Sequence, residues 1–358
     1  MKDSGSYKVL SLDGGGMRGL YTASVLKTLV SCFSDPSDRG IDKDIGKGFD
    51  LIVGTSTGGI LACGLAAGVS INKIIELYSK KGQKIFTYPF PSKEVKEQLL
   101  WGFKNRDKAA NSQEILMQEL RHIFGTKTMG QIYQERQMAF CITAVDLINS
   151  YPKIFKTPHN SYKEDEDRLL VDLCLATSAA PVLFPIAFIP SPKKDNVYEE
   201  FVDGALWANS PILVALTEAI AVSQKDQPVE IVSVGTCPPP IGKVISHKKK
   251  ASGLLKWRFG MDLMELTTSS QSQAHHVIAD TLCAQFQCLG KEVVVHRLKQ
   301  SVPPLEQAEL LSLDQPGGKA CSLLMNLGKK DGEDIYKTDK HNILKTIFTH
   351  LPDIENKG

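Results

Sequence analysis

Gly54-Thr55-Ser56-Thr57-Gly58 is the stretch of this chain whose residue types and spacing best suit chemistry. Two glycines flanking a serine at this spacing allow a tight, strained turn between a strand and a helix, with the serine Oγ exposed above the helix N-terminus. The flanks fit, because the apolar run Phe49–Val53 precedes the turn and an Ala/Leu-rich helix to about Ala67 follows it. The same five-residue pattern also occurs as an ordinary turn, but in this context Ser56 reads as a nucleophile. Thr55 and Thr57 are weaker candidates, since the turn presents its central residue.

A serine nucleophile needs a base and an oxyanion hole. None of the eight histidines sits in a Gly-rich or strand-end context, and the adjacent His275 and His276 cannot face one another on a helix. Asp203, in Phe201-Val202-Asp203-Gly204-Ala205, is the better base. It ends an apolar strand, where a parallel sheet presents its catalytic groups, although a bare Asp-Gly pair is most simply a turn. Gly14-Gly15-Gly16 follows the strand Lys8–Asp13 and suits an oxyanion hole, because glycines let backbone N–H groups converge beside the positive end of the next helix. Arg18 has two open readings: positive charge near a phosphate head group, or an anchor for the loop.

The same loop satisfies a rival pattern. Gly14-x-Gly16-x-x-Gly19 after a strand is the fingerprint of a dinucleotide-binding oxidoreductase. That reading requires an acid at the end of a second strand about 20 residues on. Asp35 and Asp38 lie near that distance but in a polar loop, and the next strand ends in Ser56 instead. A catalytically silent lipid- or nucleotide-binding module is a third reading.

Two strand, Gly-rich turn, helix units in succession predict βαβ construction and a mostly parallel sheet. Further strands are expected at Met138–Val145, Tyr198–Val202, Val229–Val234 and Val293–Val295. Helices are expected at 20–33, 71–81, 111–124, 169–180, 261–287 and 332–350. Tyr88–Trp101 is an apolar-aromatic stretch suited to a lid. The 358 residues give a soft prior of two domains, yet no linker separates them. One catalytic domain over 8–235 with a C-terminal extension over 236–358, packed on the same domain and either regulatory or membrane-facing, fits better.

Hydrophobic residues at 42% and charged residues at 23% exclude a disordered or fibrous chain. A net charge of +2 provides no global field for a nucleic-acid polymer. Eight cysteines without a CxxC pair argue against zinc and for free thiols. The opening MKDSGSYKVL lacks a signal-like apolar run, and no stretch approaches 18 apolar residues, so a cytoplasmic protein is expected.

Taken together, the motifs resemble those of the patatin-like phospholipases, whose pattern is DGGGxRG, then GxSxG, then DG[GA]. Here these stand at Asp13–Gly19, Gly54–Gly58 and Asp203–Ala205, with Ala176–Pro181, Phe184-Pro185 and Asn209-Ser210-Pro211 also similar. The resemblance covers about residues 8–235. It implies a three-layer α/β/α sandwich with a central, mostly parallel sheet and C-terminal helical additions. It also implies a Ser56–Asp203 dyad without histidine, an oxyanion hole from Gly14, Gly15 and Gly16 with Arg18 near it, and no metal or cofactor. The implied reaction is hydrolysis of acyl esters in phospholipids.

In size, in the opening KVLSLDGGGMRGLY and in its C-terminal extension, the chain is further similar to the bacterial cytosolic patatins of antiphage CBASS systems. That implies a cyclic di- or oligonucleotide as allosteric activator, membrane phospholipid as substrate, and peripheral contact at the inner face of the membrane. An oligomer is compatible with it. Ile231–Met261 contains six Lys/Arg and no acid. Its Gly253–Met261 part, with Lys248–Lys250, reads as a solvated loop and packed helix, as an interfacial segment, or as a phosphate-binding patch.

Overall fold

Short runs of Val, Ile, Leu and Phe form the strands, because such side chains pack well on a sheet covered on both faces. The computed structural model describes residues 5–38, 40–91, 94–237, 257, 261–338 and 342–354. Its strands are β1 (Tyr7–Leu12), β2 (Leu51–Thr55), β3 (Ala139–Asp146), β4 (Tyr151–Lys156), β5 (Ala187–Pro190), β6 (Tyr198–Asp203), β7 (Val229–Val234) and β8 (Val293–Arg297). They build one sheet in the order β5-β6-β3-β2-β1-β7-β8, with β4 also paired to β3. The β3-β2-β1-β7-β8 stretch is parallel throughout. β4 and β6 run antiparallel to β3, and β5 antiparallel to β6.

The helices are α1 (Gly19–Phe33), α2 (Thr57–Ala66), α3 (Ile71–Ile85), α4 (Val95–Lys104), α5 (Glu114–Phe124), α6 (Met129–Arg136), α7 (Leu170–Thr177), α8 (Ala205–Ala208), α9 (Ile212–Val222), α10 (Met261–Cys288), α11 (Gly318–Thr338) and α12 (Ile343–Phe348). Alternating strand side chains point to opposite faces. Leu10, Leu12, Ile52 and Phe140 join the larger core, under α1, α2, α3 and α7. Val9, Leu51, Val53 and Ile231 join the other, under α9 and the C-terminal half of α10. The result is a three-layer α/β/α fold with a mixed, mostly parallel sheet.

Residues beyond 235 contribute to this same body. β8 extends the sheet beside β7, and α11 lies along α1. The helices meet closely because Gly328 and Gly332 present no side chain. A Cβ on Gly328 would lie 2.7 Å from both the Ser24 Cβ and the Tyr21 carbonyl oxygen.

Several sequence expectations need correction. The 332–350 helix is two elements: α11 begins earlier, at Gly318, and a break precedes α12. Asp203 does not end a parallel strand, because β6 runs antiparallel to β3. The strand expected at Phe49–Val53 lies two residues later, since Gly54 and Thr55 still pair with Ile142 and Thr143. β4, β5, α6 and α9 carried no sequence signal that was read as structure. Apart from Trp257 and the start of α10, the basic stretch after Cys237 lies outside the described residues. All eight cysteines are free thiols.

The α1–α11 contact makes a simple prediction. Gly328→Ala forces a Cβ against a backbone carbonyl and lowers stability by about 1–3 kcal/mol, read as a fall in melting temperature. An unchanged melting temperature would show that the contact does not hold α11 in place.

Candidate active site

β3 is the ruler of the site. Thr55, the last residue of β2, pairs with Thr143, and Asp203, the last residue of β6, pairs with the next residue, Ala144. β4 takes the opposite edge of β3 over Cys141–Asp146, so β2 and β6 lie end to end along the same edge, and Ser56 and Asp203 meet where the two strands end. Their side chains close the gap: Ser56 Oγ donates to Asp203 Oδ2 at 2.7 Å.

The turn at Ser56 is strained, with φ 54° and ψ −124°, which non-glycine residues rarely adopt. The glycines around it permit close packing rather than flexibility alone. A Cβ on Gly54 would strike the Gly58 carbonyl oxygen at 2.2 Å, and one on Gly58 would meet the Leu12 carbonyl oxygen at 2.3 Å. Thr177 locks the turn, since its Oγ1 accepts the Ser56 N–H (2.8 Å) and donates to the Thr143 carbonyl (2.6 Å). Thr57 and Thr55 are engaged elsewhere: Thr57 Oγ1 donates to Tyr78 Oη, and Thr55 Oγ1 to the Ala208 carbonyl at 2.6 Å.

Asp203 is buried at 2% exposure. Burial pushes its pKa up to about 7, against the opposing effect of hydrogen bonds from the Ala205 N–H and Ser56 Oγ. A carboxylate poised near neutrality, within hydrogen-bond reach of a hydroxyl, is suited to accept that hydroxyl's proton. Among the described residues, no histidine lines the slot that holds this pair.

The glycine loop lies against the serine, as a Cβ on Gly14 would sit 3.3 Å from the Ser56 Cβ. The three glycines differ in what they can offer. Gly14 donates its N–H to the Asn209 carbonyl at 2.8 Å, so it is not free to hold an oxyanion. Gly15 and Gly16 open the turn Gly16–Arg18, and Gly16 adopts φ +56°. Arg18 is buried at 7% exposure, which lowers its pKa from the ordinary guanidinium value. Its Nη1 reaches the Leu311 carbonyl at 3.4 Å, while its Nε has no partner among the described residues.

The rest of the slot is mostly apolar. Ile60, Leu77, Ile85, Phe86, Leu183 and Phe184 line it, and its free volume is only about 60 Å³. The two acids at the spacing that a dinucleotide-binding fold requires are engaged elsewhere. Asp35 accepts from Ser37, and Asp38 is ion-paired with Lys43 at 2.8 Å. Among the described residues one cluster of metal-ligand types occurs elsewhere: Cys141, His159 and Glu218, whose ligand atoms lie within 4.8 Å of one another. The Lys156 ammonium already occupies Glu218.

Sequence reading missed three parts of this neighbourhood. Asn209 ties the glycine loop to α10, donating its Nδ2 to Ser272 Oγ at 3.0 Å, and only the Asn-Ser-Pro motif hinted at it. Thr177 was legible as part of a motif but not as the lock on the turn. Arg297, which holds Asp13 at 2.6 Å across 284 residues, gave no local signal at all.

An α/β fold with a strained serine hydrogen-bonded to a buried carboxylate is the architecture of a serine acyl hydrolase. The family described as patatin-like phospholipase matches residues 10–216, and the chain belongs to it. A cGAMP-activated phospholipase of Pseudomonas aeruginosa is 34% identical over 360 residues, covering 97% of this chain and 96% of that protein. One of Vibrio cholerae is 30% identical, covering 93% and 92%. A cUMP-AMP-activated phospholipase of Escherichia coli is 26% identical, covering 76% and 77%. Among the described residues no helix is long and apolar enough to cross a membrane.

The Asp203 environment predicts a pH-dependent stability cost. Its folded pKa, about 7, lies above the unfolded value of roughly 3.9, so the folded chain binds the proton more tightly. Its contribution to stability is therefore fully present below about pH 4, declines as pH rises, and is lost above about pH 7. Asp203→Asn cannot ionise, so its stability relative to the native chain should climb between pH 4 and pH 8 by about 4 kcal/mol. Parallel stability curves in denaturant titrations across that range would contradict the assignment.

Proposed function

We propose that this chain is a phospholipid acyl hydrolase in which Ser56 is the nucleophile and Asp203 the general base, held at rest until a cyclic dinucleotide binds. The observation that carries the catalytic part is the 2.7 Å hydrogen bond between Ser56 Oγ and Asp203 Oδ2 in a buried slot. As Oγ attacks the acyl carbonyl carbon, its proton passes to Asp203. The carbonyl electron pair moves onto oxygen, which the Gly15 and Gly16 N–H groups receive beside the positive end of α2. Collapse breaks the ester bond, and the departing alkoxide takes the proton from Asp203, leaving an acyl-Ser56. A water molecule then gives its proton to Asp203 and attacks the acyl carbon. The second collapse returns the proton to Ser56 Oγ and frees the fatty acid.

Two observations support a resting state and a bilayer substrate. The 60 Å³ slot is far smaller than the ~300–1,000 Å³ of pockets that hold drug-sized ligands, so an acyl chain requires its walls to move. Beyond Phe86 the chain passes through Tyr88 into α4, where Leu100 is 61% and Phe103 69% exposed. Lys104 and Arg106 flank them, over the rings of Tyr88 and Phe103 at 4.2 and 4.7 Å. Exposed apolar side chains with cations at their edge suit peripheral docking on an anionic lipid surface. The relatives named for cGAMP and cUMP-AMP activation support the cyclic dinucleotide as activator. The cellular consequence of this reading is degradation of the cell's own membrane in antiphage defence, from the cytoplasmic side.

The experiment is fatty-acid release from anionic phospholipid vesicles, with and without cyclic GMP–AMP or cyclic UMP–AMP. Release should be low alone and rise with one of these nucleotides. Ser56→Ala should abolish the activated rate, and Asp203→Asn should reduce it by roughly 10²–10⁴-fold. Because Asp203 acts as the unprotonated base, kcat/KM should fall about tenfold per unit below an apparent pKa of about 7. Near-native turnover in either folded variant would overturn the dyad. A flat response to both nucleotides would overturn the activation.

A further inference from the structure

A second cavity lies beside the Ser56 slot, along the same carboxyl edge of the sheet. It has about 460 Å³ of free volume, within the range that holds small ligands. Its floor is the ends of three parallel strands: Asp13 after β1, Thr236 after β7, and Arg297 at the end of β8. Open α/β sheets take their ligands in crevices outside such strand ends.

The roof is the N-terminal half of α10. Its C-terminal half packs on the sheet through Ala279 and Cys283, as an amphipathic helix should. Nearer its start the inward stripe changes character. Glu265, Thr268, Ser269, Ser272, Gln273 and His276, at spacings of three and four, face the cavity. A helix stripe turned inward is normally apolar; this one offers polar groups to the cavity, of which Ser272 and His276 also meet Asn209 and Ser210.

Two buried atoms point the same way. Arg18 lines the cavity with its Nε unpartnered, and Asp13 Oδ1 is likewise without a partner, both among the described residues. Leaving buried charged groups short of hydrogen bonds costs stability unless a ligand completes them. The groups present are not of one sign. Arg18 and Arg297 suit the oxygens of a phosphodiester. Asp13, Glu265, Gln273 and Gln300 suit the N–H edges of bases.

From this we propose that the cavity between α10 and the ends of β1, β7 and β8 is the binding site of a cyclic dinucleotide. The inference rests on the nucleotide-activated reading above and gives it a place. It also gives the signal a short route. Arg18 belongs to the same turn as Gly16 and lines both cavities. Asn209 joins α10 to the Gly14 N–H. A phosphodiester oxygen on Arg18 therefore acts directly on the loop that supplies the oxyanion donors.

The test is calorimetric binding of cyclic GMP–AMP and cyclic UMP–AMP to the full-length Ser56→Ala protein, which separates binding from catalysis. Arg297→Ala should weaken the nucleotide that binds by about 10- to 100-fold, and Arg297→Lys should recover part of that loss. Ser269→Trp, on the half-buried face of α10, should weaken it comparably by filling the cavity while leaving the Asp13–Arg297 pair intact. Unchanged affinity in Arg297→Ala and Ser269→Trp, with melting temperatures near native, would move the site elsewhere and leave nucleotide activation standing. Absence of binding and of activation by either nucleotide would remove the reading on which the site rests. Saturable binding of glycerophosphocholine that these variants abolish, with nucleotide affinity unaffected by them, would assign the cavity to the lipid head group and overturn the proposal.

Discussion

Everything at this site depends on one hydrogen bond between residues 147 positions apart, Ser56 to Asp203. Neither partner belongs to the strand that sets their separation. β3 sets it: β4 holds one of its edges, while β2 and β6 run towards each other along the other and end at Thr143 and Ala144. Consecutive residues along a strand lie about 3.3 Å apart, so the two side chains can meet only if β2 and β6 end at adjacent positions of β3. A slip of one residue in either pairing would also turn that strand's side chains to the opposite face. The Thr55–Thr143 and Ala144–Asp203 pairings, one step apart on β3, satisfy the requirement. The antiparallel direction of β6 adds to this: it lets the chain leave Asp203 at once into Gly204 and α8, where the Ala205 N–H holds the second carboxylate oxygen.

The site is expensive to fold. Ser56 sits at a positive φ, a condition that costs of order 1–3 kcal/mol. Asp203 and Arg18 are both nearly sealed from water, where ionised groups are disfavoured. These costs are borne by the two cores that clamp the sheet from either side. The residues beyond 235 therefore brace the neighbourhood of Ser56 even where they are far from it. β8 completes the parallel edge, α11 braces α1 directly behind the glycine loop, and Arg297 neutralises Asp13 at the base of that loop.

How much of this was legible in the residues depends on how local the physics is. The elbow was readable because a strained strand-to-helix turn requires small residues at fixed spacing, and Gly54, Ser56 and Gly58 supply them. The carboxylate partner of Ser56 was readable as a residue, Asp203, but its strand direction was not, since a short apolar run is compatible with either pairing. Strands β4 and β5 escaped because their exposed faces dilute the apolar pattern: Tyr151 and Phe188 point to solvent. The glycine loop was legible as a motif, whereas the capture of the Gly14 N–H by Asn209 was not, because no pattern in sequence encodes a contact across 194 intervening positions. The same holds for Arg297, and for the polar stripe of α10, whose spacing alone reads as a solvated helix face.

That stripe and the glycine loop make an off state physically intelligible. A ligand shifts a conformational equilibrium only by the difference in its affinity for the two states. A loop whose donors were fully satisfied would offer no such difference. Here the loop lies between two cavities, and beside it Arg18 Nε and Asp13 Oδ1 are buried without a partner among the described residues. An acceptor supplied there gains a charge-assisted hydrogen bond available only while Arg18 faces it, so its binding energy is coupled to the position of Gly15 and Gly16. The serine side needs no such device, because the acyl slot is mostly apolar and too narrow to fill as it stands. Control and catalysis can thus share one loop of three glycines, with charge acting on one side of it and acyl chain on the other.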